Sequence, residues 1–323
     1  MIRAFKRGIG LVNGAPAVLA GVFLVTLLAA LPLALTLREM IADSIGASGL
    51  AQPSYAWWQL FSVQAAGVGR AFSPSTLGFA AVLDNVSSIL DNRPHVLPVA
   101  LAGGAYALAW IFFTGGILDR YARSRRTRAA GFFGACGIHF FRLLRLGILA
   151  ALVYSALFAW VHPLLFGAWQ QLTLDYTVEW KAFALRATFY GLFGLVLCAC
   201  NLVFDYAKVR IVVEDRRSVA AAIAAAVAFA RRRQAVAGLY LLDGCCYLLV
   251  VALYALVAPG ARASLWAVLL LGQAYVLARL WVKLLFYGSE VAFFQGALAH
   301  AGYTAAPPPS WPESPAAEAI IRS

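Results

Sequence analysis

Apolar residues gather into six long blocks separated by shorter stretches rich in arginine. The blocks run roughly Ala15–Leu37, Val96–Leu118, Leu143–Trp169, Ala182–Phe204, Ala235–Ala258 and Ser264–Phe286. A bilayer core about 30 Å thick needs about 20 apolar residues at 1.5 Å each, and every block is long enough. The pattern predicts an all-α fold: a polytopic membrane bundle of six transmembrane helices, with amphipathic helices at its interfaces. The membrane domain is expected over 1–303, with an outer loop at 38–95 and inner loops at 119–142 and 205–234. The remaining 304–323 is proline-rich and reads as an extended cytoplasmic tail.

Between the first two blocks the period changes. Phe79, Val82, Leu83, Val86, Ile89 and Leu90 share one helical face, while Asp84, Asn85, Ser87, Ser88 and Asp91 take the other. That spacing predicts an amphipathic helix capping the bundle or lying on the outer leaflet; a lid over a substrate path is the alternative. Upstream, Trp57, Trp58, Leu60 and Phe61 suit the headgroup level.

Composition agrees with lipid as the solvent. The 323 residues are 63% hydrophobic and only 12% charged, with a mean hydropathy of +0.79. Soluble domains average about 45–50% apolar and about 25% charged, so soluble, disordered and disulfide-scaffold classes are excluded. Net charge is +12, which in a soluble chain would suggest nucleic acid. Here the basic residues sit in short loops, where they set orientation. With both termini inside, 20 of the 26 Lys and Arg fall on the inner side. That bias predicts cytoplasmic termini and contact with anionic lipid headgroups, not nucleic acid. Arg3, Lys6 and Arg7 precede an apolar run of about 23 residues, longer than the usual 7–15 of a signal peptide, so it reads as an uncleaved first span. The five cysteines, Cys136, Cys198, Cys200, Cys245 and Cys246, match no metal or redox spacing and read as packing residues.

The inner loops resemble one another. Leu118-Asp119-Arg120-Tyr121-Ala122-Arg123 follows the second block, and Phe204-Asp205-Tyr206-Ala207-Lys208 follows the fourth. Each leads into an apolar helical stretch that ends in basic residues, Ala129–Leu144 and Ser218–Ala230, and Ile2–Arg7 offers a shorter version. The implied unit is an inner-surface helix, an outward span and an inward span, used three times about an axis along the membrane normal. Positive-inside loops alone are the simpler account. Ser218 is a good N-cap, and the alanine-rich body behind it favours close helix contact. Arg231, Arg232 and Arg233 would then meet lipid headgroups.

Asp205–Leu241, with Val-Arg-Ile-Val-Val-Glu-Asp-Arg-Arg-Ser-Val before the alanine-rich helix and Arg-Arg-Arg-Gln after it, resembles a pattern in uncharacterised bacterial six-span proteins. It is also similar to the membrane domain attached to some glycerophosphodiester phosphodiesterases. The likeness covers about a tenth of the chain. It implies a bacterial inner-membrane bundle with a lipid connection, and carries over no catalytic residue, since no soluble phosphodiesterase domain accompanies it.

An ionisable residue inside a span costs about 2.5–3.5 kcal/mol on insertion scales, so it needs a reason. Asp243 lies about 12 Å in from the start of the fifth block. Arg279, in the sixth, is its expected partner, in a structural pair. Gln273, Lys283 and Glu290 extend a polar stripe along the sixth block, read as packing against the Ser218–Ala230 helix, with a cavity lining as the alternative. That block continues apolar to His300, so it either bends at Gly288 or protrudes. Arg186, beside Glu179 and Lys181, reads as an interfacial cluster, and Asn201 and Asp205 as facing the basic inner layer. The histidines are scattered, and no HExxH, Gly-x-Ser-x-Gly or phosphate-cradling glycine loop occurs. The expected function is therefore a non-catalytic structural, assembly or accessory membrane component without cofactor, in contact with the bilayer and with other membrane proteins. The alternative is a permease or lipid-handling transporter with a cavity near spans five and six.

Overall fold

A computed structural model describes residues 1–48, 54–73, 78–124, 128–174, 176–260 and 264–300; the proline-rich tail lies outside them. Among the described residues every regular element is helical. Six segments are long and apolar enough to cross a membrane: Pro16–Gly46, Leu97–Arg123, Ala129–Thr173, Glu179–Val213, Ala235–Val257 and Leu265–Leu298. The chain is an all-α integral membrane protein.

In chain order the helices are α1 (Ile2–Asn13), α2 (Pro16–Ser48), α3 (Tyr55–Gln64), α4 (Gly78–Leu90), α5 (Leu97–Arg123), α6 (Ala129–Ala156), α7 (His162–Thr173), α8 (Glu179–Val213), α9 (Val219–Arg232), α10 (Ala235–Val257) and α11 (Leu265–His300). The inner segment expected ahead of span three is continuous with it, as the first half of α6. A π-turn at Leu157–Val161 joins α6 to α7 just ahead of Pro163. Proline lacks an N–H, and its ring crowds the carbonyl four residues back; a wider turn absorbs both defects. At α9, Ser218 caps as expected, its Oγ accepting from Ala221 N at 3.3 Å.

The packing order follows the repeat. We call the end that carries α1, α9 and the arginine-rich turns the basic end. There α1 lies on α11, the start of α6 lies on α5, and α9 lies on α8. The three spans that run toward this end, α5, α8 and α11, also touch one another pairwise. Each basic-end segment thus packs on the span that closes the preceding unit, and α1 completes the ring on the last span. A hairpin used three times about the bundle axis gives this order.

Small residues make these crossings close. A Cβ on Gly8 would stand 2.7 Å from the backbone nitrogen of Ser289, and one on Gly288 would stand 3.0 Å from the carbonyl oxygen of Gly8. α11 stays helical through Gly288, which is where α1 crosses it. A Cβ on Gly116 of α5 would stand 2.9 Å from the carbonyl oxygen of Phe132. On α9, Ala222 and Ala226 are fully buried. Cys136 packs in the α5–α6 crossing, whereas Cys198 and Cys245 are exposed on their spans, so not every cysteine is a packing residue.

Burial is concentrated at the basic end. Ile117, Leu118 and Tyr121 of α5, Tyr206 and Ile211 of α8, and Leu284, Leu285 and Phe294 of α11 are fully enclosed. Toward the other end the same spans expose Leu97, Leu101, Phe183, Leu195, Leu265 and Trp266. A second, small core lies there: Trp57 and Phe61 stack at 5.1 Å and bury against Met40, Ile41 and Ile45 of α2. These two aromatics pack on protein, so the headgroup role expected of them does not hold. α4 forms over most of the predicted segment and leaves Leu83, Val86 and Ile89 exposed.

Candidate functional site

The interior of the basic half holds a connected polar belt, built by one to three residues from each of five helices. Asp205 of α8 is its centre. Its Oδ1 accepts from Lys208 Nζ at 2.5 Å, one turn along the same helix. Its Oδ2 accepts from Asn201 Nδ2 at 2.9 Å, one turn the other way. Asn201 also donates to Tyr240 OH of α10 at 2.5 Å, and its Oδ1 accepts from Tyr154 OH of α6 at 3.4 Å. On the other side, Lys208 faces the ring of Tyr287 of α11 at 5.8 Å. Tyr287 OH accepts from Trp110 Nε1 of α5 at 3.0 Å, and Lys283 Nζ stands 3.7 Å from the Trp110 ring centre. The Trp110–Tyr287 pair is thus held between two lysines, in the geometry that attracts a cation to an aromatic face.

Beside the belt lies a partly open cavity of about 100 Å³. Its walls come from α5, α6 and α8, with Tyr287 of α11 at the back. Most of the lining is apolar: Ile111, Leu143, Leu146, Gly147, Ala150 and Phe204. Polar lining comes from Tyr154, Asn201, Thr114 and Lys208. Thr114 already donates to Trp110 O at 2.7 Å, and both N–H groups of Asn201 are taken by Asp205 and Tyr240. Lys208 carries three donors, one of which is taken by Asp205.

The expected Asp243–Arg279 pair does not form. Asp243 is fully buried, and its Oδ2 accepts from Ser289 Oγ at 2.5 Å. Arg279 is exposed and lies ten residues earlier on α11, about 15 Å farther from the basic end at 1.5 Å per residue. The reason is depth. An inner boundary at Phe286 places Arg279 level with Asp243, but the packed part of α11 runs on past Phe286, and the residue level with Asp243 is Ser289. The polar stripe is likewise divided. Gln273 is half-buried with its Oε1 unpartnered, Lys283 sits over Trp110, and Glu290 is 1% exposed with neither carboxylate oxygen bonded. None of the three lines the cavity. Contact between α11 and α9 is made instead by Phe229 against Phe293 and Phe294.

Arg231, Arg232 and Arg233 are exposed where α9 ends, and Arg233 also covers the Phe229 ring at 5.7 Å. Around them the basic end is cross-tied. Arg142 of α6 donates to the carboxylate of Asp215, a residue in the left-handed region between α8 and α9, which aspartate tolerates better than most. Arg210 pairs with Glu214 at 3.0 Å and stacks over Phe229 and Phe294. Trp281 Nε1 donates to Asn13 Oδ1 at 2.9 Å, tying α11 to the end of α1.

At the opposite end, Arg186 finds a distant partner. Its Nη2 meets Asp91 Oδ1 at 3.0 Å, and its guanidinium lies 4.9 Å from the Trp169 ring centre. Tyr190 OH donates to the same carboxylate, and Ser87 Oγ donates to its other oxygen at 3.0 Å. Tyr190 first, with Ser87 and Arg186, holds the Asp91 carboxyl below its ordinary 3.8 against the opposing effect of burial. His162 Nε2 lies 2.8 Å from Leu90 O, so the end of α4 is clasped to α7 and α8. Among the described residues no three His, Cys, Asp or Glu side chains converge as metal ligands do. The chain matches no family model, no curated protein and no solved structure.

Proposed function

We propose that this integral membrane protein is a non-catalytic structural, assembly or accessory component of a bacterial inner membrane. Both termini lie on the cytoplasmic side, and the exposed Arg231, Arg232 and Arg233 rest on anionic headgroups of the inner leaflet. The supporting observation is that the interior is filled where a transport path would have to open. Asp243 and Ser289 are fully buried, and Glu290 is 1% exposed, in the packed basic half. The large apolar lateral faces fit lipid and other membrane proteins as partners. Asp205–Leu241, the stretch with the phosphodiesterase membrane-domain resemblance, contains α9 and the arginines of that surface.

A permease or lipid-handling role is the second reading, favoured by the cavity beside Lys208. Asp243→Asn separates the two. As a structural group, Asp243 leaves Ser289 with a weaker acceptor when changed, and the thermal midpoint in detergent falls by several degrees. Co-purification with larger membrane complexes persists after mild solubilisation. A variant with unchanged stability that abolishes solute or lipid movement in proteoliposomes would establish the transporter.

A further inference from the structure

We infer that the cavity between α5, α6 and α8 is a binding site for a monoanionic amphiphile, one acyl chain with an acidic head, seated with the head on Lys208. Three features of the site carry this. The first is its lining. One wall is the face of α6 from Leu143 to Ala150, a run of apolar and small residues about 11 Å long at 1.5 Å per residue. A space this apolar is poorly suited to water, which needs two to four polar partners. A cavity of about 150 Å³ lined by such residues takes up benzene, so about 100 Å³ suits a segment of hydrocarbon chain.

The second is a cationic lining group with donors to spare. Thr114 and the Asn201 amide are engaged. Lys208 gives one N–H to Asp205, and its side chain is 26% exposed at the cavity. An ammonium with free donors at an apolar cavity attracts an anionic head through charge-assisted hydrogen bonds.

The third is that the two features adjoin. Lys208 and the apolar face of α6 line the same cavity. A neutral lipid chain would leave the remaining Lys208 donors without an acceptor, and a free small anion would leave the apolar wall empty.

The test uses the full chain in nanodiscs of phosphatidylcholine, with binding of three probes read by native mass spectrometry: oleate, oleyl alcohol and inorganic phosphate. The site predicts saturable binding of oleate, at least tenfold weaker binding of oleyl alcohol, and none of phosphate. Lys208→Gln lowers oleate affinity at least tenfold and leaves oleyl alcohol unchanged, while Ala150→Phe, which fills the slot, abolishes oleate binding. Since Lys208→Gln leaves Asp205 without its partner, Asp205→Asn combined with Lys208→Gln serves as the folded comparison, with the same expected loss. Leu146→Phe replaces Ala150→Phe if that variant does not fold. Equal binding of oleate and its alcohol, oleate binding untouched by the filled slot, or phosphate binding as well as oleate each overturns the proposal.

Discussion

Asp205→Ala destabilises the protein by about 3–5 kcal/mol, the cost of leaving one partner of a buried ion pair alone. Asp205 is 5% exposed and satisfies Lys208 on one oxygen and Asn201 on the other. Its removal strands the ammonium between apolar walls and frees one donor of Asn201. The double change Asp205→Leu with Lys208→Met takes away both charges at similar volume. Replacing a buried pair by well-packed apolar residues is often neutral, so the double variant recovers most of the loss. Unfolding free energies from detergent titration give the comparison. An aspartate variant within about 1 kcal/mol of the parent, or a double variant as unstable as the single, contradicts the belt as an interior ion pair.

The second large effect lies at the crossing of α1 and α11. Glycine in a helix interior costs about 0.5–1 kcal/mol relative to alanine, so Gly8 and Gly10 in α1 both invite replacement on propensity alone. Their surroundings separate them. A Cβ at Gly10 meets nothing within 4 Å, whereas one at Gly8 stands 2.7 Å from Ser289 N and 2.8 Å from Ser289 Cα. Those are backbone atoms of a packed helix and cannot turn aside. Overpacking of this kind costs about 1–3 kcal/mol. The displaced segment also carries the Ser289 hydroxyl that donates to Asp243 Oδ2, and a buried acceptor without its donor costs about 1–3 kcal/mol more. With the propensity gain set against these costs, Gly8→Ala is expected to lose about 1–5 kcal/mol, while Gly10→Ala is neutral or slightly stabilising. Thermal midpoints in detergent give the comparison, with Gly10→Ala at or above the parent and Gly8→Ala well below it. Equal effects of the two alanines would show that α1 does not lie against α11 as described.

Much of this architecture can be read along the chain, because one-dimensional signals set it. A run of about 20 apolar residues in lipid can only be a span. The helix from Ser218 is equally legible, since its cap and its alanine body are local. The repeated Asp-Tyr loops announce a recurring hairpin, and the ring of α1, α6 and α9 on α11, α5 and α8 follows that order.

The side-chain pairings were not legible, for a physical reason. Residues of antiparallel helices meet only if their depths agree, and depth depends on where a helix leaves the membrane, which hydropathy marks loosely at an apolar end. Arg279 is level with Asp243 only if the inner boundary of span six lies at Phe286; the packed part of α11 runs past it, and Ser289 is level instead. The belt had a usable signal in Asn201, Asp205 and Lys208, at spacings of four and three on α8. Tyr154 and Tyr240 could join only in three dimensions. Arg186 offers the same lesson, since its partner Asp91 lies 95 residues away and reaches it only because α4 folds back onto α8.

The central claim is that the chain crosses the bilayer six times, with the arginine-rich end of the bundle on the cytoplasmic side. Its most direct test is labelling of single cysteines in intact cells with a membrane-impermeant reagent, at the amino end, at the end of α9, at the carboxyl end, and at Ser88 of α4. Protection of the first three and labelling of Ser88→Cys alone is the predicted result. Labelling of one terminus but not the other, or of the α9 arginine turn from outside, would contradict it.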